Sequence, residues 1–196
     1  MKRPFKIGIS GTHSTGKSTF AARLMERISG LPLRVTVVHD SAQEARDRGF
    51  PILSEHTFES TSWLIGNAMR LEAEASLGAD VIIVDRPVPD ALGYLQAALS
   101  HTGRTLEDGR LGRLERICET WVAEYDLFFV TELNTSVPLG AGRDGDEPFR
   151  RAAATAVGEV VERMMPRHLT LRHGETAGAE DLALDSVRQY FKRAGA

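Results

Sequence analysis

Residues Gly11-Thr12-His13-Ser14-Thr15-Gly16-Lys17-Ser18 constrain this chain more than any other stretch. They fit the pattern G-x-x-x-x-G-K-[ST] of a phosphate-binding loop. A short apolar run, Ile7-Gly8-Ile9-Ser10, precedes them, and Thr19 to Met25 reads as helix, so the strand-loop-helix context is complete. Glycines let such a loop turn tightly and bring its backbone close to a phosphate. Several N–H groups then point inward and cradle an anion at the positive end of the following helix. In this pattern Lys17 neutralises the outer phosphates and the Ser18 hydroxyl holds Mg²⁺. The expected nucleotide contacts are Gly11, Ser14, Thr15, Gly16, Lys17, Ser18 and Thr19.

The rest of the chain alternates strands with helices. Phe5 to Ser10 reads as a strand buried on both faces, and the helix after the loop stops near Ser29-Gly30. A second strand, Val35 to His39, ends at Asp40, and a short helix from about Ser41 to Arg48 is broken by Gly49-Phe50-Pro51. Ser54 reads as the N-cap of a long helix reaching about Leu77. Its core face carries Leu64, Ala68, Leu71 and Ala75. Its other face carries Ser60, Trp63, Asn67, Arg70 and Glu74, a stripe that is solvated or, at Trp63 and Asn67, turned toward substrate. Asp80 to Asp85 is the clearest strand, followed by a helix marked by Ala91, Leu92, Leu95, Ala98 and Leu99.

A helix from about Asp108 to Tyr125 buries Leu111, Leu114, Cys118, Trp121 and Tyr125. Asp126 to Thr131 is a fourth strand. Asn134 to Glu147 is too long for an ordinary connection, and a lid-like stretch over 134–151 is expected. Pro148 opens a helix with Val157, Val160, Val161 and Met164 inward. His168 to His173 is a fifth strand, and a last helix after Gly178 buries Leu184, Val187 and Tyr190. The expected fold is an α/β three-layer sandwich with a five-stranded, mostly parallel sheet, as one domain over 1–196.

Composition narrows the partners. A hydrophobic fraction of 42% with 26% charged residues is that of a globular chain, and a net charge of -3 gives no default for a nucleic-acid groove. Cys118 stands alone, so neither a disulfide framework nor a multi-cysteine zinc site is expected. No apolar run approaches a membrane span, and the apolar stretch after Met1-Lys2-Arg3-Pro4 is too short for a signal peptide; a cytoplasmic protein is expected. A homodimer is compatible with the sequence.

Ligands of open α/β sheets sit at the carboxyl ends of the strands. That rule selects Asp85, which ends its strand as a metal-binding carboxylate does beside the Ser18 hydroxyl, or else caps the next element. It also selects Asp40, either a general base that orients an acceptor hydroxyl or an N-cap for the helix after Ser41. Glu44, one turn on, is the reserve. Arg86 follows Asp85 and points near phosphates or substrate. Arg143, Arg150 and Arg151 lie in or just after the long loop, where a guanidinium could meet developing phosphoryl charge; Arg143 is the better candidate and Arg151 the best fit to a solvated surface. The expected acceptor contacts are Asp40, Trp63, Asn67 and Arg86.

Three segments together resemble the small phosphate-binding-loop kinases: Gly11 to Ser18, His39-Asp40-Ser41-Ala42-Gln43-Glu44-Ala45-Arg46, and Asp85-Arg86-Pro87-Val88-Pro89-Asp90-Ala91-Leu92-Gly93-Tyr94. The chain is most similar to nicotinamide-riboside-kinase-like AAA-type ATPases and to nucleoside and thymidylate-kinase-like nucleotide kinases. Gly142-Arg143-Asp144-Gly145 with Phe149-Arg150 is similar to their lid. The resemblance implies a P-loop NTPase fold with strand order 2-3-1-4-5. It further implies ATP and Mg²⁺ as cofactors and transfer of the γ-phosphoryl to a hydroxyl of a nucleoside or similar small metabolite. It implies catalytic roles for Lys17, Asp40, Asp85, Arg86 and Arg143.

Departures bear on the acceptor. Thymidylate kinases follow their Asp-Arg pair with a Tyr-Gln step, which Tyr94-Leu95-Gln96 interrupts here. Their Arg-Glu-Pro after the second strand is replaced by Asp40-Ser41-Ala42, so an unphosphorylated acceptor is favoured over a nucleoside monophosphate. Asp85-Arg86-Pro87-Val88 is not the D-x-x-G of GTPases, and no N-K-x-D occurs. The alternatives are a nucleoside monophosphate kinase, a regulatory ATPase coupled to a protein partner, and a nucleotide-binding module without catalysis.

Overall fold

Valine and isoleucine fill β3, Val81–Asp85, and they alternate between two cores. Ile82 and Val84 pack on one side of the sheet, Val81 and Ile83 on the other, and all four are fully shielded. Such a strand belongs at the centre of a parallel sheet with helices on both faces. The computed structural model describes residues 3–134 and 146–194 and has that arrangement. The remaining strands are β1 (Phe5–Ser10), β2 (Val35–Val38), β4 (Leu127–Thr131) and β5 (Leu169–Leu171). Their order is β2-β3-β1-β4-β5, as the resemblance implied. Every pairing is parallel rather than mostly so, with Ile7 opposite both Ile83 and Leu127.

Two helices, α1 (Lys17–Ser29) and α7 (Thr176–Ala194), cover one face. Phe20, Leu24 and Ile28 meet Ile7, Ile9 and Phe129 there, with Phe20 and Phe129 edge to face at 5.2 Å. The other face is covered by α3 (Phe58–Ala75), α4 (Val88–Thr102), α5 (Arg110–Val122) and α6 (Glu147–Met164). The short α2 (Ala42–Asp47) follows the carboxyl end of β2. A buried ion pair ties β1 to this second layer. Lys6 Nζ lies 3.3 Å from Glu72 Oε2, and Glu72 also accepts from Trp121 Nε1 (3.0 Å) and the Tyr125 hydroxyl (2.6 Å). With three donors on the Glu72 carboxylate, the pair links β1, α3 and α5, and removing one partner would strand a buried charge.

Close crossing of α4 and α6 depends on Gly93. A Cβ at that position would lie 2.6 Å from the Cα of Val157. Backbone cannot yield as a side chain does, so the helices must separate. We expect Gly93→Ala to lower stability by about 1–3 kcal/mol. A thermal melt should therefore fall by several degrees, and an unchanged melting temperature would contradict the crossing.

Several boundaries differ from the sequence reading. The N-cap of α3 is Thr57, not Ser54, because Thr57 and Ser60 form a reciprocal capping box. Leu53–Glu55 is a separate 3-10 turn. The fully buried stripe of α3 is Ser60, Thr61, Ile65, Asn67 and Glu72, while Leu64, Ala68, Leu71 and Ala75 are only half-buried. The end of α1 is as read, with Gly30 as its C-cap. The last helix begins at Thr176, ahead of Gly178. Residues Glu147 to Arg151, read as part of the lid-like stretch, form the first turns of α6, whose Asp146 cap accepts from Phe149 N at 2.9 Å. Arg143 and the rest of 135–145 lie outside the described residues.

Candidate active site

The carboxyl ends of β1, β2 and β3 bring the candidate residues to one edge. The loop after β1 takes conformations that L side chains resist. Gly11 sits at φ +135° and Gly16 at φ +88°, and Ser14 is held at φ +56°. At Gly11 space is short as well, since a Cβ would lie 2.1 Å from Thr131 Oγ1. Thr131, at the end of β4, donates to Ser10 O (3.0 Å) and lies 2.6 Å from the Thr15 hydroxyl. Thr15 in turn donates to Thr12 O at 2.9 Å, so the loop is braced internally.

Lys17 opens α1 with its side chain buried, its ammonium donating to Thr12 O. Ser18 and Thr19 are exposed on the first turn of that helix. Burial pushes the Lys17 ammonium down to about 7, helped by Arg86 and opposed by Asp90, Asp85 and Asp40. Bound phosphates would favour its protonated form, so nucleotide binding is linked to proton uptake. Below about pH 7 the lysine is charged before nucleotide binds, and above it binding must first protonate it. Between pH 7.5 and 9 we expect the Kd for ADP to rise by up to about tenfold per pH unit. Calorimetry in buffers of different ionisation heat should detect the proton taken up, and a Kd flat across this range would contradict the linkage.

Asp85 ends β3 beside that helix turn. Its Oδ2 accepts from the Ser18 hydroxyl at 2.6 Å, whereas its buried Oδ1 has no hydrogen-bond partner. A buried carboxylate oxygen left over beside a hydroxyl suits Mg²⁺, which takes one or two protein oxygens and completes its shell with water and phosphate. Among the described residues no group of three or more His, Cys, Asp or Glu forms a dedicated metal cage. Ser18 and Asp85 thus fit the ion in the manner of a site shared with phosphates.

Arg86 occupies the left-handed region at φ +69°, a strain of about 1–3 kcal/mol for a residue other than glycine. Its surroundings hold it there. The backbone N–H donates to Ile9 O (3.2 Å), and Nε pairs with Asp40 Oδ2 at 2.7 Å. One terminal nitrogen lies 3.6 Å from Asp90 Oδ2 and 3.4 Å from Gly11 O, and the guanidinium sits 5.1 Å from the centre of the Tyr94 ring. Burial works against the charge, but Tyr94, Asp40 and Asp90 together raise the guanidinium well above its usual value. Asp40 is not the N-cap of α2, which is Ser41, but its Oδ1 accepts from Ala42 N at 2.8 Å and so braces the start of that helix, while its Oδ2 faces Arg86.

Asp90 was not singled out in the sequence, yet it joins the two halves of the site. It accepts from the Ser10 hydroxyl through Oδ1 and from Gly11 N through Oδ2 at 3.2 Å. Burial pushes its carboxyl up to about 6 against the pull of Arg86 and Lys17. A continuous polar chain therefore runs from the phosphate loop through Asp90 and Arg86 to Asp40. Tyr94, one turn on, braces the loop from the same helix: its oxygen accepts from His13 N (2.9 Å) and lies 3.1 Å from Thr12 Oγ1. His56 packs on Tyr94, with ring centres 5.6 Å apart and Nδ1 2.8 Å from Leu53 O. Burial pushes His56 down to about 4, so it is neutral at physiological pH.

A cavity of about 590 Å³ opens between these groups. Ser18, Asp85, Asp40 and Arg86 all line it, and Val38, Leu53, Leu64, Ala68 and Val88 provide apolar wall. Two expected acceptor contacts are placed elsewhere. Asn67 Nδ2 donates to Ser41 Oγ at 2.8 Å and so supports the segment after Asp40. Trp63 stacks on Phe50 at 5.4 Å beneath Arg48, outside the cavity lining. Glu44, the reserve base, pairs with Arg48 at 2.9 Å. Arg150 is fully buried and donates to the backbone oxygens of His13 and Ser14 in the phosphate loop. Arg151 is exposed, as expected. The sequence did signal Arg150: it lies three and seven residues before Ala153 and Val157, on the buried stripe of α6.

A phosphate-binding loop between the first strand and first helix of a parallel sheet ordered 2-3-1-4-5 defines the P-loop NTPase fold. Within it the chain belongs to a family described as an AAA domain, whose model matches residues 6–173. Solved structures share the fold. A NadR protein in complex with NR superposes with a TM-score of 0.63 at 16% identity, covering 95% of this chain and 51% of that one. This chain thus spans about half the length of that protein. Deoxyadenosine kinase from M. mycoides with bound dATP superposes with a TM-score of 0.63 at 13% identity, covering 98% of this chain and 100% of that one. No curated protein matches the sequence.

Proposed function

We propose that this protein is an ATP- and Mg²⁺-dependent phosphotransferase that moves the γ-phosphoryl of ATP to a hydroxyl of a nucleoside or similar small metabolite. The observation that carries this reading is the shared cavity, in which the Ser18–Asp85 pair and the Asp40–Arg86 pair line one space. The first pair suits a nucleoside triphosphate with its metal, and the second suits a hydroxyl acceptor. The apolar part of the lining suits a ring. The two structural neighbours, one complexed with NR and one with dATP, support a ligand of nucleoside type.

In this reading Gly11, Ser14, Thr15, Gly16, Lys17, Ser18 and Thr19 hold the donor phosphates. Mg²⁺ held by Ser18 and Asp85 would offset negative charge on the phosphates when bound. Asp40 holds the acceptor hydroxyl in line and receives its proton. A new bond forms between that oxygen and the γ-phosphorus, the bond to the bridging oxygen breaks, and ADP leaves. Arg86 stays charged and close to both ends. Arg143 would bring a further guanidinium to the transferring group. The chain acts in the cytoplasm on a small molecule, with no nucleic acid or membrane partner; no helix among the described residues is long and apolar enough to cross a membrane.

The test is incubation with γ-labelled ATP, Mg²⁺ and a panel of nucleosides, nucleoside monophosphates, sugars and alcohols. The expected result is label on a nucleoside-like hydroxyl compound, lost when the metal is chelated. Label on a monophosphate would shift the acceptor class. ATP hydrolysis that needs a protein partner and labels no small molecule would replace the reading with that of a regulatory ATPase.

A further inference from the structure

Arg150 is the largest fully buried side chain among the described residues, and it is charged. It lies in the first turn of α6 among Phe149, Ala153 and Val157, all fully shielded. Its one carboxylate partner, Glu147 at 3.3 Å, is itself partly exposed. A buried charge is costly to desolvate, and well-packed apolar residues often replace such groups without loss of stability. The guanidinium is instead spent on the phosphate loop. Nε donates to His13 O (3.3 Å) and a terminal nitrogen to Ser14 O (3.1 Å).

Those two contacts have a geometric consequence. In a trans peptide the carbonyl and the following N–H point in opposite directions within one plane. Fixing His13 O and Ser14 O therefore fixes the N–H groups of Ser14 and Thr15 on the opposite side. Ser14 needs such support, since it is held at φ +56° without being glycine. Tyr94 fixes the preceding segment from α4, and Arg150 fixes this one from α6.

We propose that Arg150 is a positioning residue of the phosphate loop: by pinning two adjacent carbonyls it keeps the loop's N–H groups aimed at the nucleotide phosphates. This rests on the loop's reading as a phosphate site and not on the identity of the acceptor. Arg150 touches no phosphate in this role and acts through the backbone of the loop.

The experiment compares wild type, Arg150→Met and Arg150→Lys in the full chain. Amide exchange is followed over residues 12–17 and over the sheet core, and ADP affinity is measured by calorimetry. In Arg150→Met, exchange should rise by about tenfold or more in the loop alone. ADP affinity should fall by about tenfold or more. Lysine keeps the charge but reaches one carbonyl at a time, so Arg150→Lys should fall between the other two. Wild-type exchange and affinity in folded Arg150→Met would overturn the proposal. So would faster exchange spread evenly through the core with no recovery in Arg150→Lys, because that marks a packing role. If Arg150→Met fails to fold, Arg150→Lys decides by the same two readouts. Neither readout needs an acceptor, so a panel that yields no labelled product would strike the phosphotransferase reading and leave this one standing.

Discussion

Alanine at Lys17 should reduce turnover by on the order of 10³-fold. The buried ammonium belongs to the loop itself, and among the described residues no neighbouring side chain is free to take its place. Among the described residues, the partly buried Arg86 and the buried Arg150 are the other cations against the loop, and both are committed: Arg86 to Asp40, Asp90 and Tyr94, Arg150 to the carbonyls of His13 and Ser14. Preorganised charge in a site shielded from water is worth far more than the same charge in solvent. The fold should survive the change, because removing an ammonium whose pKa burial has pushed to about 7 relieves a desolvation penalty. Steady-state kinetics with an unchanged melting temperature is the expected pattern. Turnover within a few-fold of wild type would remove Lys17 from the mechanism.

Asn at Asp40 should lower kcat by about 10²- to 10⁴-fold while ATP binding stays close to wild type. The two effects separate because Asp40 sits on the far side of Arg86 from the loop. Its Oδ1 contact to Ala42 N can be kept by the amide oxygen of asparagine, so the start of α2 should not move. The Oδ2 side is different: an amide N–H there would face the Nε–H of Arg86, donor against donor, and the acceptor hydroxyl would lose its proton acceptor. Asp90 still faces the guanidinium, which limits the disturbance to the loop. Separate measurement of ATP affinity and single-turnover rate tests this directly. An unchanged rate would restrict Asp40 to its contacts with Ala42 N and Arg86.

The donor side of the site was readable because one contiguous motif carries it, and the motif demands a strand before and a helix after. Asp85 and Asp40 were readable for a related reason: each ends an apolar run, and strand ends of a parallel sheet converge on one edge. Asp90, Tyr94 and His56 were not, because each reaches the site through packing between elements distant in sequence; Arg150 was read as a guanidinium near the phosphoryl group, and only its bonds to the loop carbonyls went unread. Asp90 meets Ser10 across 80 positions, and Arg150 meets Ser14 across 136. Local spacing cannot supply such distances, although the buried stripe of α6 did mark Arg150 as inward-facing. Trp63 illustrates the opposite limit: helical spacing placed it beside Asn67, but Phe50 and Arg48 cover it. The start of α3 moved because Ser54 and Thr57 are both competent caps, and only Thr57 has a reciprocal partner at Ser60. Gly93 gave no sequence signal, since its requirement comes from the backbone at Val157.

The most direct test of the site is a crystal structure with a non-transferable ATP analogue, Mg²⁺ and an acceptor drawn from the labelling panel. The expected result places the phosphates on the loop at Gly11 to Ser18 and the acceptor's reacting hydroxyl within hydrogen-bond reach of the Asp40 carboxylate, in line with the γ-phosphorus. An acceptor bound away from Asp40 and Arg86, or a cavity closed by the protein's own side chains while nucleotide is bound, would contradict it.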